Sequence, residues 1–172
     1  MFDIMNERRF TMDIYEYAMQ MEKDGEQYYR EIAGKMDNKG IKNILTMLAD
    51  EDLKHYNIFF SMKRNEKIQI TDTPILTNVK NIFIKMREEK DFGGISASQT
   101  ELYKKAQDIE KKSWDFYLEK GEEANDPLQK EVFLKVAGEE KKHYFILEQI
   151  IYYISRPDQL LENPEWYHIE EY

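Results

Sequence analysis

A shift of 88 positions lays the second half of this chain over the first. Between residues 13–62 and 101–150, 13 of 50 positions are identical without a gap. They include Tyr15/Tyr103, Ala18/Ala106, Glu22/Glu110, Tyr29/Tyr117, Ala49/Ala137, Glu51/Glu139, Lys54/Lys142 and His55/His143. An internal repeat of this size constrains the fold more than any local signal. Whatever one copy folds into, the other folds into as well, and each can bury its apolar face against its sibling.

Each copy reads as two helices. In the first, Tyr15, Ala18, Glu22, Gly25, Tyr29, Ile32 and Met36 recur at spacings of three and four, "DNKG" at 37–40 breaks the pattern, and Ile41, Leu45, Leu48, Asp52, His55, Phe59 and Met62 resume it. In the second, Tyr103, Ala106, Glu110, Ser113 and Tyr117 precede "NDP" at 125–127, where Asp126 can cap a helix begun by Pro127. Phe133, Val136, Glu140, His143, Leu147, Ile150 and Ile154 follow until Pro157. The sequence therefore predicts an all-α single domain over 1–172. It comprises a helical hairpin over 12–64, a crossover over 65–98 with a short amphipathic helix from about Thr77 to Lys90, a second hairpin over 99–155, and a tail over 156–172. Only 7 Gly and 4 Pro interrupt the chain, which suits this reading. A crossover of such length is expected to let both hairpins run the same way, as in a ferritin-like four-helix bundle.

Charge and cysteine content narrow the functions. With 34 acidic against 25 basic side chains and a net charge of −9, the chain lacks the cationic face that nucleic acid or an anionic membrane requires. Cysteine is absent, which removes disulfides, thiolate metal sites and iron–sulfur clusters from these 172 residues. No secretory segment or apolar run of spanning length is present, so a cytoplasmic location is expected.

Against that background, the inward stripes hold an anomaly. If each hairpin turns at its break, Glu22 lies level with Asp52 and His55, and Glu110 with Glu140 and His143. Four carboxylates and two imidazoles then meet at one height on four helices. Four carboxylates in a bundle core cannot all stay ionised unaided, because like charges and desolvation both oppose ionisation. Two divalent cations would balance them, and two neutral imidazoles would complete the coordination. Oxygen-rich donors with one nitrogen per metal suit iron or manganese better than a structural zinc, although affinity order alone also admits zinc or copper. Small Ala18, Gly25, Ala106 and Ser113 flank Glu22 and Glu110, as either a bulky cluster or close helix packing would require.

One Glu on each of two helices and Glu-x-x-His on each of the other two is similar to the di-iron carboxylate signature of the ferritin-like superfamily. The strings "MEKDGEQYY" with "LADEDLKHY", and "IEKKSWDFY" with "VAGEEKKHY", resemble its rubrerythrin branch over residues 12–155. That resemblance implies Glu22 and Glu110 as one ligand from each hairpin, Asp52 and Glu140 as bridging or terminal carboxylates, and His55 and His143 as nitrogen ligands. Tyr29 and Tyr117 then either hydrogen-bond to ligand carboxylates or are ordinary core aromatics. Asp52 departs from the pattern, standing where the family has Glu. Glu51 is the competing candidate, and stripe position favours Asp52. The asymmetry between Asp52 and Glu140 predicts two inequivalent metal positions, the one nearer Asp52 more loosely held.

The resemblance implies an oxidoreductase that reduces peroxide or dioxygen. The alternative is an iron-binding or iron-handling protein without peroxidase turnover. Rubrerythrins proper carry a cysteine-ligated rubredoxin module, so electrons here are expected from an external donor such as a rubredoxin-type protein. An apolar face on the crossover helix, or the tail around Trp166 and Tyr167, would allow a homodimer. His168 reads as structural or exposed.

Overall fold

A computed structural model describes residues 13–156. Five α-helices follow one another: α1 (Ile14–Gly34), α2 (Lys39–Lys63), α3 (Ile75–Glu88), α4 (Thr100–Glu123) and α5 (Pro127–Ser155), with a 3-10 turn at Ala97–Gln99 before α4. Helices α2 and α5 start where local chemistry supplies an acceptor for their free amides. The Asn38 side chain accepts from Ile41 N at 3.0 Å to start α2. Its repeat mate Asp126 accepts from Leu128 N at 3.2 Å to start α5, with Pro127 in the first turn. Trp166, Tyr167 and His168 lie outside the described residues, as does most of the tail.

Helix α1 packs along α2 and α4 along α5, giving two hairpins that meet through α1 against α4 and α2 against α5. Their relative direction corrects the expectation that both run the same way. As α1 advances from Glu22 to Tyr29, its hydrogen-bonded partner on α4 retreats from Tyr117 to Glu110. On the opposite side Asp52 approaches His143 while His55 approaches Glu139 and Glu140. The hairpins are therefore antiparallel and related by an approximate two-fold axis. The crossover returns the chain along the length of α2, so α4 starts parallel to α2 and antiparallel to α1. A short link would have produced the opposite sense.

Two apolar clusters fill the bundle. One gathers Ile32, Ile44, Leu45, Leu48, Ile146 and Ile150 and is closed by Ile75, Leu76, Val79, Phe83 and Met86 of α3. Each of these α3 side chains is buried, a gain on the order of 1.5–3 kcal/mol apiece. The crossover helix starts two residues earlier than its periodicity suggests and spends its apolar face on its own bundle, so that face is not free for a homodimer. The second cluster, at the other end, is an aromatic floor in which Phe59 stacks on Tyr117 at 5.2 Å and on Phe133 at 5.4 Å. Between the two clusters lies a polar layer.

Candidate metal centre

The polar layer consists of the six residues singled out by spacing. Glu22 on α1, Asp52 and His55 on α2, Glu110 on α4, and Glu140 and His143 on α5 are all at most 3% exposed. Helical periodicity brings each inward, since each lies three or four residues from apolar side chains of the clusters above and below. Gly25 makes room for one of them. A Cβ there would lie 2.4 Å from Asp52 Oδ2, so only glycine leaves space for that carboxylate where it stands.

The donor atoms converge without satisfying one another. His55 Nδ1 lies 2.9 Å from Glu140 Oε1 and 3.4 Å from Glu22 Oε2. His143 Nδ1 lies 3.4 Å from Glu140 Oε2, 3.5 Å from Glu110 Oε1 and 3.6 Å from Asp52 Oδ1. Yet both Nδ1 atoms, Asp52 Oδ1, Glu140 Oε1 and His143 Nε2 lack a hydrogen-bond partner. Gln149 Oε1 is the one other such buried side-chain atom among the described residues. Buried polar atoms are nearly always paired, so this concentration requires something else to engage them. A cation fits: Glu22, Asp52, His55 and Glu140 offer one set of donors within 4.8 Å of one another, and Asp52, Glu110, Glu140 and His143 offer a second. Asp52 and Glu140 belong to both.

Without a cation the layer holds protons instead. Burial, then the charges of Glu110, Glu140 and Glu22, drive the Asp52 carboxyl well above its usual range. Burial with Glu22 and Glu110 lifts Glu140 to about 8. For Glu110 burial pushes upward too, but hydrogen bonding from Glu140 and the charge of His143 outweigh it and lower the pKa. Burial would lower both histidines; Glu22 beside His55 and Glu110 beside His143, with their other carboxylate contacts, instead raise them well above the ordinary imidazole value.

The tyrosines resolve in favour of hydrogen bonding. Tyr29 donates its hydroxyl to Glu110 Oε1 and Tyr117 donates to Glu22 Oε1, each reaching across to the other hairpin. Burial, then the charge of Glu110 on Tyr29 and of Glu22 on Tyr117, raises both phenols well above 10, so they remain donors. The profile of the rubrerythrin family matches residues 13–151. This chain belongs to that family. No curated protein and no solved structure gives a significant match. Rubrerythrin membership places the bundle among ferritin-like folds and implies a di-iron site, which the buried acidic and imidazole groups are suited to hold.

Two further residues of this rubrerythrin-family chain escape a stripe-based reading. Glu139 Oε2 lies 2.5 Å from His55 Nε2, and Glu51 joins the same pair to form a third set of converging donors. Burial pushes Glu139 upward, but the His55 hydrogen bond together with the charges of His55, Lys54 and His143 lowers it to about 2. The only sequence signal was that Glu51 and Glu139 are repeat mates, each next to a member of the inner set. Asp52, rather than Glu51, is the residue turned into the inner layer. Asp52 offers a donor to both sets, as Glu140 does.

Proposed function

We propose that Glu22, Asp52, His55, Glu110, Glu140 and His143 hold two iron ions and that the protein reduces peroxide or dioxygen with electrons from an external donor. The observation that carries this reading is the pair of donor sets, each of three carboxylates and one imidazole, sharing Asp52 and Glu140 and left unsatisfied by the protein. Four carboxylates and two dipositive ions are neutral together, so the layer is stable between two apolar clusters once the ions replace its protons. Two bound ferrous ions supply the two electrons that, with two protons, convert peroxide to two waters, and the donor restores them.

The chain's own residues orient the donors and exclude water. Tyr117 and Tyr29 each donate to one oxygen of Glu22 and Glu110, which fixes both carboxylates. The aromatic floor of Phe59, Tyr117 and Phe133, and the apolar cluster under α3, keep bulk water from the layer.

Anaerobic Fe(II) titration followed by a peroxide challenge tests the proposal. Saturation at two irons per chain, rapid oxidation and repeated turnover on added reductant are expected. Failure to retain two irons overturns it. Stoichiometric uptake far above two, without turnover, would identify iron handling instead.

A further inference from the structure

We infer that residues 71–74 of the crossover are the gate of the metal layer, and that their opening sets the rate at which ions enter and leave it; the inference rests on the dinuclear reading above. The crossover runs past the layer from one end of the bundle to the other. Ile68 and Ile70 pack on the aromatic floor, whereas Ile75 and Leu76 are buried in the cluster at the opposite end. The chain between them therefore crosses the height of the layer. There it changes character: Thr71, Asp72 and Pro74 are exposed and Thr73 is half-buried, so this span has no apolar anchor of its own. Among the described residues, no backbone hydrogen bond ties it to α2 or α5. Two lysines hold it instead. Lys54 of α2 donates to Thr71 O and, at 3.0 Å, to Thr73 Oγ1, and Lys135 of α5 donates to Asp72.

Beneath this span lies the accessible side of the layer. On the α1–α4 side, Tyr29 and Tyr117 are buried and reach between the hairpins, which fills that face. On the α2–α5 side, the lysines that hold the span stand beside the layer's own residues: Lys54 precedes His55, and Lys135 lies one turn before Glu139. His55 is fully buried, yet its partner Glu139, 2.5 Å away, keeps 15% of its side-chain exposure. The way from solvent to the imidazole therefore passes Glu139 and runs under residues 71–74. Lifting the span breaks only the contacts of the two lysines, both partly exposed, and uncovers no buried apolar side chain. Interactions of that kind are individually weak, so this stretch opens well before the helices do. Ile68 and Ile70 before it, and Ile75 and Leu76 after it, stay seated and confine the motion to the residues between them.

The test locks the gate and releases it. Asp72→Cys and Lys135→Cys are introduced together; the chain has no cysteine of its own, so a short bis-methanethiosulfonate links only these two positions and a reductant frees them. Two rates are compared in the same protein before and after reduction. Anaerobic extraction of bound Fe(II) by ferrozine, followed by absorbance, reports ion exchange. Carbethoxylation of His55 by diethyl pyrocarbonate in the metal-free protein, mapped by mass spectrometry, reports access with no metal involved. Cross-linking is expected to slow both by about 10-fold or more and reduction to restore them, while Asp72→Ala, which removes one tie, speeds extraction by about 2- to 5-fold. Equal extraction rates in the linked and freed protein overturn the gate and leave the dinuclear reading intact. Protein that binds no Fe(II), but in which linking still slows carbethoxylation, supports the gate and overturns the dinuclear reading. Loss of both effects overturns both. Circular dichroism checks the fold of the freed double variant, and should it misfold, Thr73→Cys with Lys54→Cys takes its place under the same outcomes.

Discussion

The two halves of the metal layer are copies of one another in their tyrosines and differ in their shared carboxylates. Tyr29 to Glu110 and Tyr117 to Glu22 exchange under the two-fold axis. Asp52 is packed against Gly25, whereas the corresponding positions of the second hairpin are Glu140 and Ser113. His55 Nε2 has Glu139 while His143 Nε2 has nothing. The difference teaches that the copies stay equivalent where each serves the other, through the tyrosines, and diverge where the sequence sets Asp52 and Gly25 against Glu140 and Ser113.

The largest expected effect separates shared from unshared carboxylates. Asp52→Asn or Glu140→Gln, each removing a charge common to both donor sets, should abolish retention of both irons after dialysis. Glu22→Gln or Glu110→Gln should cost one. Elemental analysis decides, and loss of both irons in E22Q would break the distinction.

Next comes pH. In the metal-free protein, Asp52 and Glu140 are raised above their unfolded values, with Glu140 at about 8, and both histidines are raised as well. A group raised on folding contributes stability below its unfolded pKa and loses it as pH climbs through the folded value. Metal-free protein should therefore lose thermal stability between about pH 4.5 and 8. Glu139, lowered to about 2, acts in the other direction, its contribution disappearing only as pH falls below about 4.5. Two bound metals should flatten the higher-pH slope. A metal-free Tm that rises between pH 5 and 8 would contradict the proton-filled layer.

Gly25→Ala probes the same comparison at one site. Its Cβ would collide with Asp52 Oδ2, so we expect a loss of about 1–3 kcal/mol and weakened metal affinity. Ser113→Ala, in the other half, should change stability by less than about 1 kcal/mol. Equal responses measured by denaturant titration would show that the halves are not sterically distinct. A last pair of variants tests the equivalence itself. Tyr29→Phe and Tyr117→Phe each strip one donor from a buried carboxylate and should each cost about 1–3 kcal/mol in the metal-loaded protein. A gap above about 1 kcal/mol between them would break the two-fold symmetry.

Much of this architecture is legible in the chain. The breaks at 37–40 and 125–127, the cap Asp126, and the height of all six inner residues are legible there, because a helix converts spacing directly into face and level. Asp52 over Glu51 follows from the same rule. The antiparallel relation of the hairpins does not, because two copies of a sequence carry no record of the rotation that relates them. Nor does the exchange of tyrosines between hairpins, which depends on that rotation.

What the sequence by itself determined is the duplicated helical hairpin and the set of ionisable side chains it turns inward, since both depend only on local periodicity. What the tertiary structure decided is which of those side chains are held in common: Asp52 and Glu140 by two donor sets, His55 by the inner layer and by Glu139 outside it. Sharing is a relation between helices far apart in the chain. It is settled by the packing of one hairpin on the other, within the few ångströms that burial and the space left by Gly25 allow.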